Sequence, residues 1–206
     1  MAATPLIRLN ELETIATGRQ ASCFINDISS CLDQLTKSLK GQRVLVIGGA
    51  GSIGAAVTQQ LARFPLRSLH VLDQNENGLA EVVRRLRSQD VPLGPEELRT
   101  LPLDFGSPIT QEYIRQANVF DTVMNFAAIK HVRSEKDTPS LLQMLDTNVW
   151  KQFKLLNWLH NSGFRGRYYS VSTDKAANPV SLMGASKRLM EHVAFLTPHG
   201  GDTTSA

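Results

Sequence analysis

Three short stretches hold most of the residues able to do chemistry. The first is a glycine turn, Gly48-Gly49-Ala50-Gly51-Ser52-Ile53-Gly54, with glycines at 48, 51 and 54. Glycine allows a tight turn and lets a phosphate approach the backbone without a Cβ in the way. The second stretch is Asn125-Phe126-Ala127-Ala128-Ile129-Lys130-His131-Val132. The third is Ser172-Thr173-Asp174-Lys175-Ala176, followed by Met183-Gly184-Ala185-Ser186-Lys187. Small residues at Ala127 and Ala128 let the chain run close to a bound ligand. Lys187 falls four residues after Met183 and so shares its helix face. A lysine there can hold a ribose and lower a neighbouring group's pKa through its charge.

The elements that must position these residues alternate between strand and helix. Arg43–Ile47 is a continuous apolar run, as in a parallel strand buried on both faces. Further strands are expected at Ser68–Leu72, Leu98–Leu103, Asp121–Phe126 and Arg167–Val171. Helices are expected after the glycine turn through about Arg63, from Asn77 to about Arg87, and from Ser107-Pro108. A long one should run from about Pro139 to His160, and a last one from Met183 to Phe195. Ser107 and Pro108 suit an N-cap and a first helical turn. This pattern predicts an α/β fold, a doubly wound parallel sheet of the Rossmann type over residues 41–206. Residues 1–40 differ and are expected to form a short helical N-terminal leader, with an amphipathic helix at Ile28–Leu39. The tail from Pro198 reads as a loop that ends without a strand.

In that frame the glycine turn sits between a strand and a helix, the setting of a dinucleotide pyrophosphate site. Gly48, Gly51, Ser52, Ile53 and Gly54 are its candidate contacts. Asp73 closes the second strand about 20 residues beyond the last glycine, where a carboxylate accepts from the adenosine ribose. Gln74 and Asn75 follow it, with no arginine for a 2′-phosphate, so NAD is favoured over NADP. Asp104 and Phe105 end the third strand near the adenine edge, although Asp before Gly106 is also ordinary turn chemistry. Lys130 reads either as a site residue or as a solvated loop lysine, and His131 as a packed side chain.

Composition narrows the partners. The 206 residues include 22 Lys plus Arg against 19 Asp plus Glu, a net charge of only +3 with no clustered basic face, so nucleic acid is not expected. Cys23 and Cys31 fit no metal or redox spacing, and no metal is expected. No apolar run reaches the ~18 residues of a membrane span, and a soluble cytoplasmic protein is the expectation.

From about residue 15 onward the chain resembles the extended short-chain dehydrogenases of polysaccharide biosynthesis, the UDP-N-acetylglucosamine 4,6-dehydratases and their capsule and O-antigen relatives. The carrying residues are GGAGSIG at 48–54, LDQNENGL at 72–79, AAIKHV at 127–132, Thr147-Asn148, and STDKAANPVSLMGASKRLME at 172–191. The resemblance implies a UDP-sugar substrate, an NAD cofactor and a homo-oligomer. It adds Asn148 to the cofactor contacts. It further implies C4 oxidation, loss of water across C5 and C6, and return of hydride to C6. Thr173 would bond the C4 oxygen, a protonated Asp174 would serve as acid, and Lys175 with a depressed pKa would serve as base. The wider superfamily has Tyr where this chain has Met183, which cannot relay a proton but is characteristic of the membrane-anchored branch. The resemblance also implies a substrate domain beyond residue 206. The alternatives are an epimerase or reductase on the same fold, or a non-catalytic NAD-binding module.

Overall fold

The computed structural model describes residues 11–20, 22, 25–88, 93–117, 119–130, 135, 137–197 and 203–205. The chain divides into two units, Met1–Lys40 and Gly41–Ala206. In the first, α1 (Glu11–Thr17) and α2 (Ile25–Leu39) are helical. The expected amphipathic helix is present as α2 and starts three residues earlier, whereas α1 was not foreseen. Cys31 is an exposed free thiol, and Cys23 lies outside the described residues.

The second unit is a Rossmann fold. Its strands are β1 (Arg43–Ile47), β2 (Ser68–Leu72), β3 (Glu97–Leu101), β4 (Thr122–Asn125), β5 (Arg167–Ser170) and β6 (Thr203–Ser205). All pairs are parallel, in the order β3-β2-β1-β4-β5-β6. The helices are α3 (Ser52–Leu61), α4 (Glu76–Arg87), α5 (Pro108–Gln116), α6 (Thr138–Leu145), α7 (Lys151–Asn161) and α8 (Leu182–Leu196). Right-handed crossovers put α3 and α4 on one face, and α5, α7 and α8 on the other. The strand order reverses between β1 and β4, and a ligand crevice opens at such a point, outside the C-terminal strand ends.

Burial explains the sheet. β2 is buried at every position, and β1 at all but its first. On one face Leu45, Ile47, Leu72 and Val123 pack with Ile114, Leu155, Leu156 and Leu159 from the covering helices. Each such side chain contributes about 2 kcal/mol on leaving water. Capping follows the sequence too: Ser107 Oγ accepts from Thr110 N, and Pro108 opens α5.

Three expectations need correction. β3 stops at Leu101 rather than Leu103, because Pro102 has no N–H to extend the ladder and Leu103 N–H turns back to Leu101 O. The tail does reach a strand: β6 pairs in parallel with β5, which offers its outer edge to the returning backbone. The long helix from 139 to 160 is two helices joined by a π-helical turn, Asp146–Trp150, in which Lys151 N–H donates to Asp146 O. Such turns have no simple periodic signature in sequence and often mark functional sites.

Candidate functional site

The glycine turn lies at the C-terminal end of β1. Gly48 has φ +75°, and a Cβ there would lie 2.6 Å from Ala127 N, so both the conformation and the approach of the β4 loop require glycine. Gly51 is the N-cap of α3 and supplies no side chain to it. The amides at Ser52 and Ile53 therefore open the helix with its positive dipole end uncapped, the arrangement that binds phosphate.

Asp73 braces this turn. Its Oδ2 accepts from Ala50 N at 2.9 Å, and its Oδ1 accepts from Asn75 N at 2.9 Å. A carboxylate has further lone pairs, so both oxygens can still accept from a ligand. Asn75 is occupied as the cap of α4.

A cavity of about 800 Å³ opens beside these groups. Gly48, Gly51, Asp73 and Gln74 line one part of it. Leu103, Asp104, Phe105 and Lys151 also line it, as do Phe126 to Lys130 of the β4 loop (the β4 wall) with Gln143, Asp146 and Thr147. Its volume is that of a small-molecule or cofactor cleft, and the glycine turn leaves a cradle that side chains would fill.

At one end of the cavity Asp104 Oδ2 accepts from Lys151 Nζ at 2.6 Å, and Oδ1 accepts from Gly106 N at 2.9 Å. Partial burial pushes this carboxyl up. The Lys151 and Gly106 hydrogen bonds, with the charges of Lys151 and Lys154, outweigh that and hold it below the ordinary carboxylate range. Phe105 is buried in the core, with Lys151 Nζ 5.9 Å from its ring centre. Lys151 escaped the sequence reading because a lysine on a helix reads as a solvated charge.

The β4 wall is held from behind. Asn148 is 1% exposed, its Nδ2 donates to Ile129 O and Ser186 Oγ, and its Oδ1 accepts from Ile129 N. Both ends of its amide are therefore used by protein groups, linking the β4 loop to α8. Asn125 continues the support, accepting from Ala127 N and donating to Tyr168 Oη. Ala127 and Ala128 line the cavity; Lys130 is exposed and also lines it. His131 lies outside the described residues.

Beyond β5 the chain makes a single 3₁₀ turn at Asp174–Ala176. Thr173 caps it and donates to Asp174 Oδ1 at 2.9 Å. The Thr173 hydroxyl, the Lys175 amide and the Lys175 charge hold exposed Asp174 below the ordinary carboxylate range. The protonated Asp174 expected from sequence is thus an ionised one here, because the carboxylate is solvated and receives hydrogen bonds. Lys175 is exposed beside it.

Helix α8 follows, capped by Ser181. Met183 is buried, and its N–H donates to Glu135 Oε1 at 2.7 Å. Lys187 is only 5% exposed, and its Nζ donates to Val171 O at 2.7 Å and to Met190 Sδ at 3.4 Å. Burial lowers its pKa to about 8; the charge of Glu191 opposes this and that of Lys130 adds to it. Glu135 and Glu191 were not foreseen, since neither sits at a recognisable spacing. Among the described residues there is no His/Cys/Asp/Glu group able to hold a metal, and no helix is long and apolar enough to cross a membrane.

The fold and the cleft define a short-chain dehydrogenase/reductase architecture. The chain belongs to the polysaccharide biosynthesis protein family, whose sequence profile matches residues 44–203. It is 32% identical to an uncharacterized membrane protein of Methanocaldococcus jannaschii, over 76% of this chain and 43% of that one. It is 26% identical to UDP-arabinose 4-epimerase 1 of Arabidopsis thaliana, over 73% of this chain and 38% of the relative. The chain thus spans well under half the length of these two relatives. Among solved structures, the dTDP-glucose 4,6-dehydratase DesIV of Streptomyces venezuelae, with NAD and TYD bound, superposes with TM-score 0.64 at 27% identity, over 79% of this chain and 54% of that one.

Proposed function

We propose that this chain is the coenzyme-binding part of a nucleotide-sugar-modifying enzyme of surface polysaccharide synthesis, acting as an NAD-dependent 4,6-dehydratase on a UDP-N-acetylglucosamine-type substrate. The observation that carries the reading is the Thr173-Asp174-Lys175 turn at the same C-terminal sheet edge as the glycine-turn cleft. The named dehydratase and epimerase among its relatives support the substrate class.

The amides at the start of α3 and the glycine turn would hold the pyrophosphate, and Asp73 would accept from the adenosine ribose. Asp104 would lie at the adenine, and Ala127, Ala128 and Lys130 along the middle of the dinucleotide. When bound, the nicotinamide would take hydride from the sugar and give it back. Asn148 holds the β4 wall in place from behind. Lys187, its pKa lowered by burial, would face the nicotinamide ribose, and buried Met183 would leave proton transfer to other groups. Thr173 would bond the C4 oxygen, and Lys175 would take the C5 proton. Asp174 would give its proton to the leaving hydroxyl, which requires a substrate to displace water and draw Thr173 away. NAD binding, the substrate domain, the homo-oligomer and a cytoplasmic site of action all belong to the proposal.

A second reading is favoured by one observation, the ionised state of Asp174. Epimerisation or reduction at C4 needs no acid at C6, and an ionised Asp174 suits it. Incubation of a chain extended to include the substrate domain with NAD⁺ and UDP-N-acetylglucosamine, followed by mass spectrometry and carbonyl trapping, separates the readings. A 4-keto product lighter by one water, lost in Lys175→Ala, is expected. A product of unchanged mass inverted at C4 would favour the epimerase. NAD⁺ binding without any product would sink both and leave a binding module.

A further inference from the structure

Among the described residues lining the cavity, Lys151 is a cation whose placement the cofactor roles above do not use. Lys151 follows the π-helical turn, and its side chain is 13% exposed. Its stem lies against Gly106, where a side chain on residue 106 would collide with it. Its Nζ reaches Asp104 Oδ2 at 2.6 Å, with Asp146 Oδ2 at 3.7 Å on its other side. Three separate features therefore serve one contact: an irregular helical turn, a glycine opposite the stem, and a carboxylate on each side of the ammonium.

Asp104 is fixed from two directions. Lys151 takes one oxygen, the Gly106 amide takes the other, and Thr110 Oγ1 donates to the Asp104 carbonyl at 2.7 Å. A carboxylate so held stays ionised and is acceptor-only. Its remaining lone pairs border the cavity. An acceptor-only group selects a donor and rejects another acceptor, and a buried mismatch is costly.

We infer that Lys151 is a specificity-setting positioning residue: by fixing the Asp104 carboxylate where it borders the cavity, it makes this part of the cleft select a base that offers an exocyclic amine, adenine, over a base that offers a carbonyl there. This rests on the dinucleotide reading of the cleft. Lys151 acts through Asp104 and need not touch the base itself. Without the ammonium, Asp104 loses its charged partner and gains rotational freedom. A carboxylate free to turn no longer fixes an acceptor where the amine would sit, so discrimination falls.

The test is calorimetric titration of the chain with NAD⁺ and with nicotinamide hypoxanthine dinucleotide, which has a carbonyl in place of the adenine amine. The native chain should prefer NAD⁺ by about tenfold or more. Lys151→Met should bring the two dissociation constants to within about threefold, and Lys151→Arg should restore most of the preference. Carbon NMR of the Asp104 carboxyl should show its pKa rising in Lys151→Met, a shift that a merely structural role would not produce. If Lys151→Met proves poorly folded by thermal melting, Lys151→Gln is read in its place. An unchanged preference in the folded variant overturns the inference while leaving the cofactor reading intact. Failure of the native chain to bind either dinucleotide overturns both.

Discussion

Gly184 faces the backbone carbonyl of Lys175 so closely that a Cβ on residue 184 would lie 2.6 Å from that oxygen. The contact seats the Asp174–Ala176 turn directly on the first turn of α8, which also carries Met183 and Lys187. Gly184→Ala should therefore push the two apart. The expected result is a loss of about 1–3 kcal/mol of stability in chemical unfolding, together with shifted NMR signals for Thr173 to Ala176. Unperturbed signals in that turn would show that the packing is not needed.

Lys187 gives a signed pH prediction. Its folded pKa is about 8, below the ordinary lysine value of 10.5, so the unfolded chain binds more protons between those two values. Stability should then rise as pH increases through that window, by on the order of 3 kcal/mol at most. Lys187→Met should remove the rise and gain stability at neutral pH. Thermal melts of both chains at pH values spanning the window check this; parallel curves would contradict it.

Thr173 supplies the largest single influence on Asp174. Thr173→Val keeps the shape and removes the donor. The Asp174 carboxyl should move back up toward the ordinary carboxylate value, read by carbon NMR titration. No movement would mean that solvent, rather than Thr173, sets its charge.

Asn148 bonds Ile129 twice and Ser186 once from a fully enclosed position. Asn148→Ala should cost about 2–3 kcal/mol, because it leaves buried backbone groups unpaired. It should also weaken dinucleotide binding by loosening the β4 wall. Full stability in the variant would show that the brace is dispensable.

Much of this arrangement was legible in the sequence because local chemistry dictated it. The apolar runs of β1 and β2, the glycines of the 48–54 turn and the Ser107-Pro108 cap each have a short-range physical cause, and the structure has all of them. What was not legible depends on distant partners. Lys151 acquires its meaning from Asp104 and Gly106, which lie far away in sequence but adjacent in space. Asp174 sits exposed with its carboxylate held by the Thr173 hydroxyl and the Lys175 amide, a geometry the motif alone does not state. The strand expected through Leu103 ends at Leu101, because Pro102 cannot donate to the ladder.

The central claim is that the glycine-turn cleft is a dinucleotide site, and Gly48 is its most exacting position. The most direct measurement is calorimetric titration of the chain and of Gly48→Val with NAD⁺. A saturable one-to-one complex with the native chain, lost in a Gly48→Val variant still folded by circular dichroism, is the predicted result. No binding by the native chain, or equal binding by both, would contradict the account.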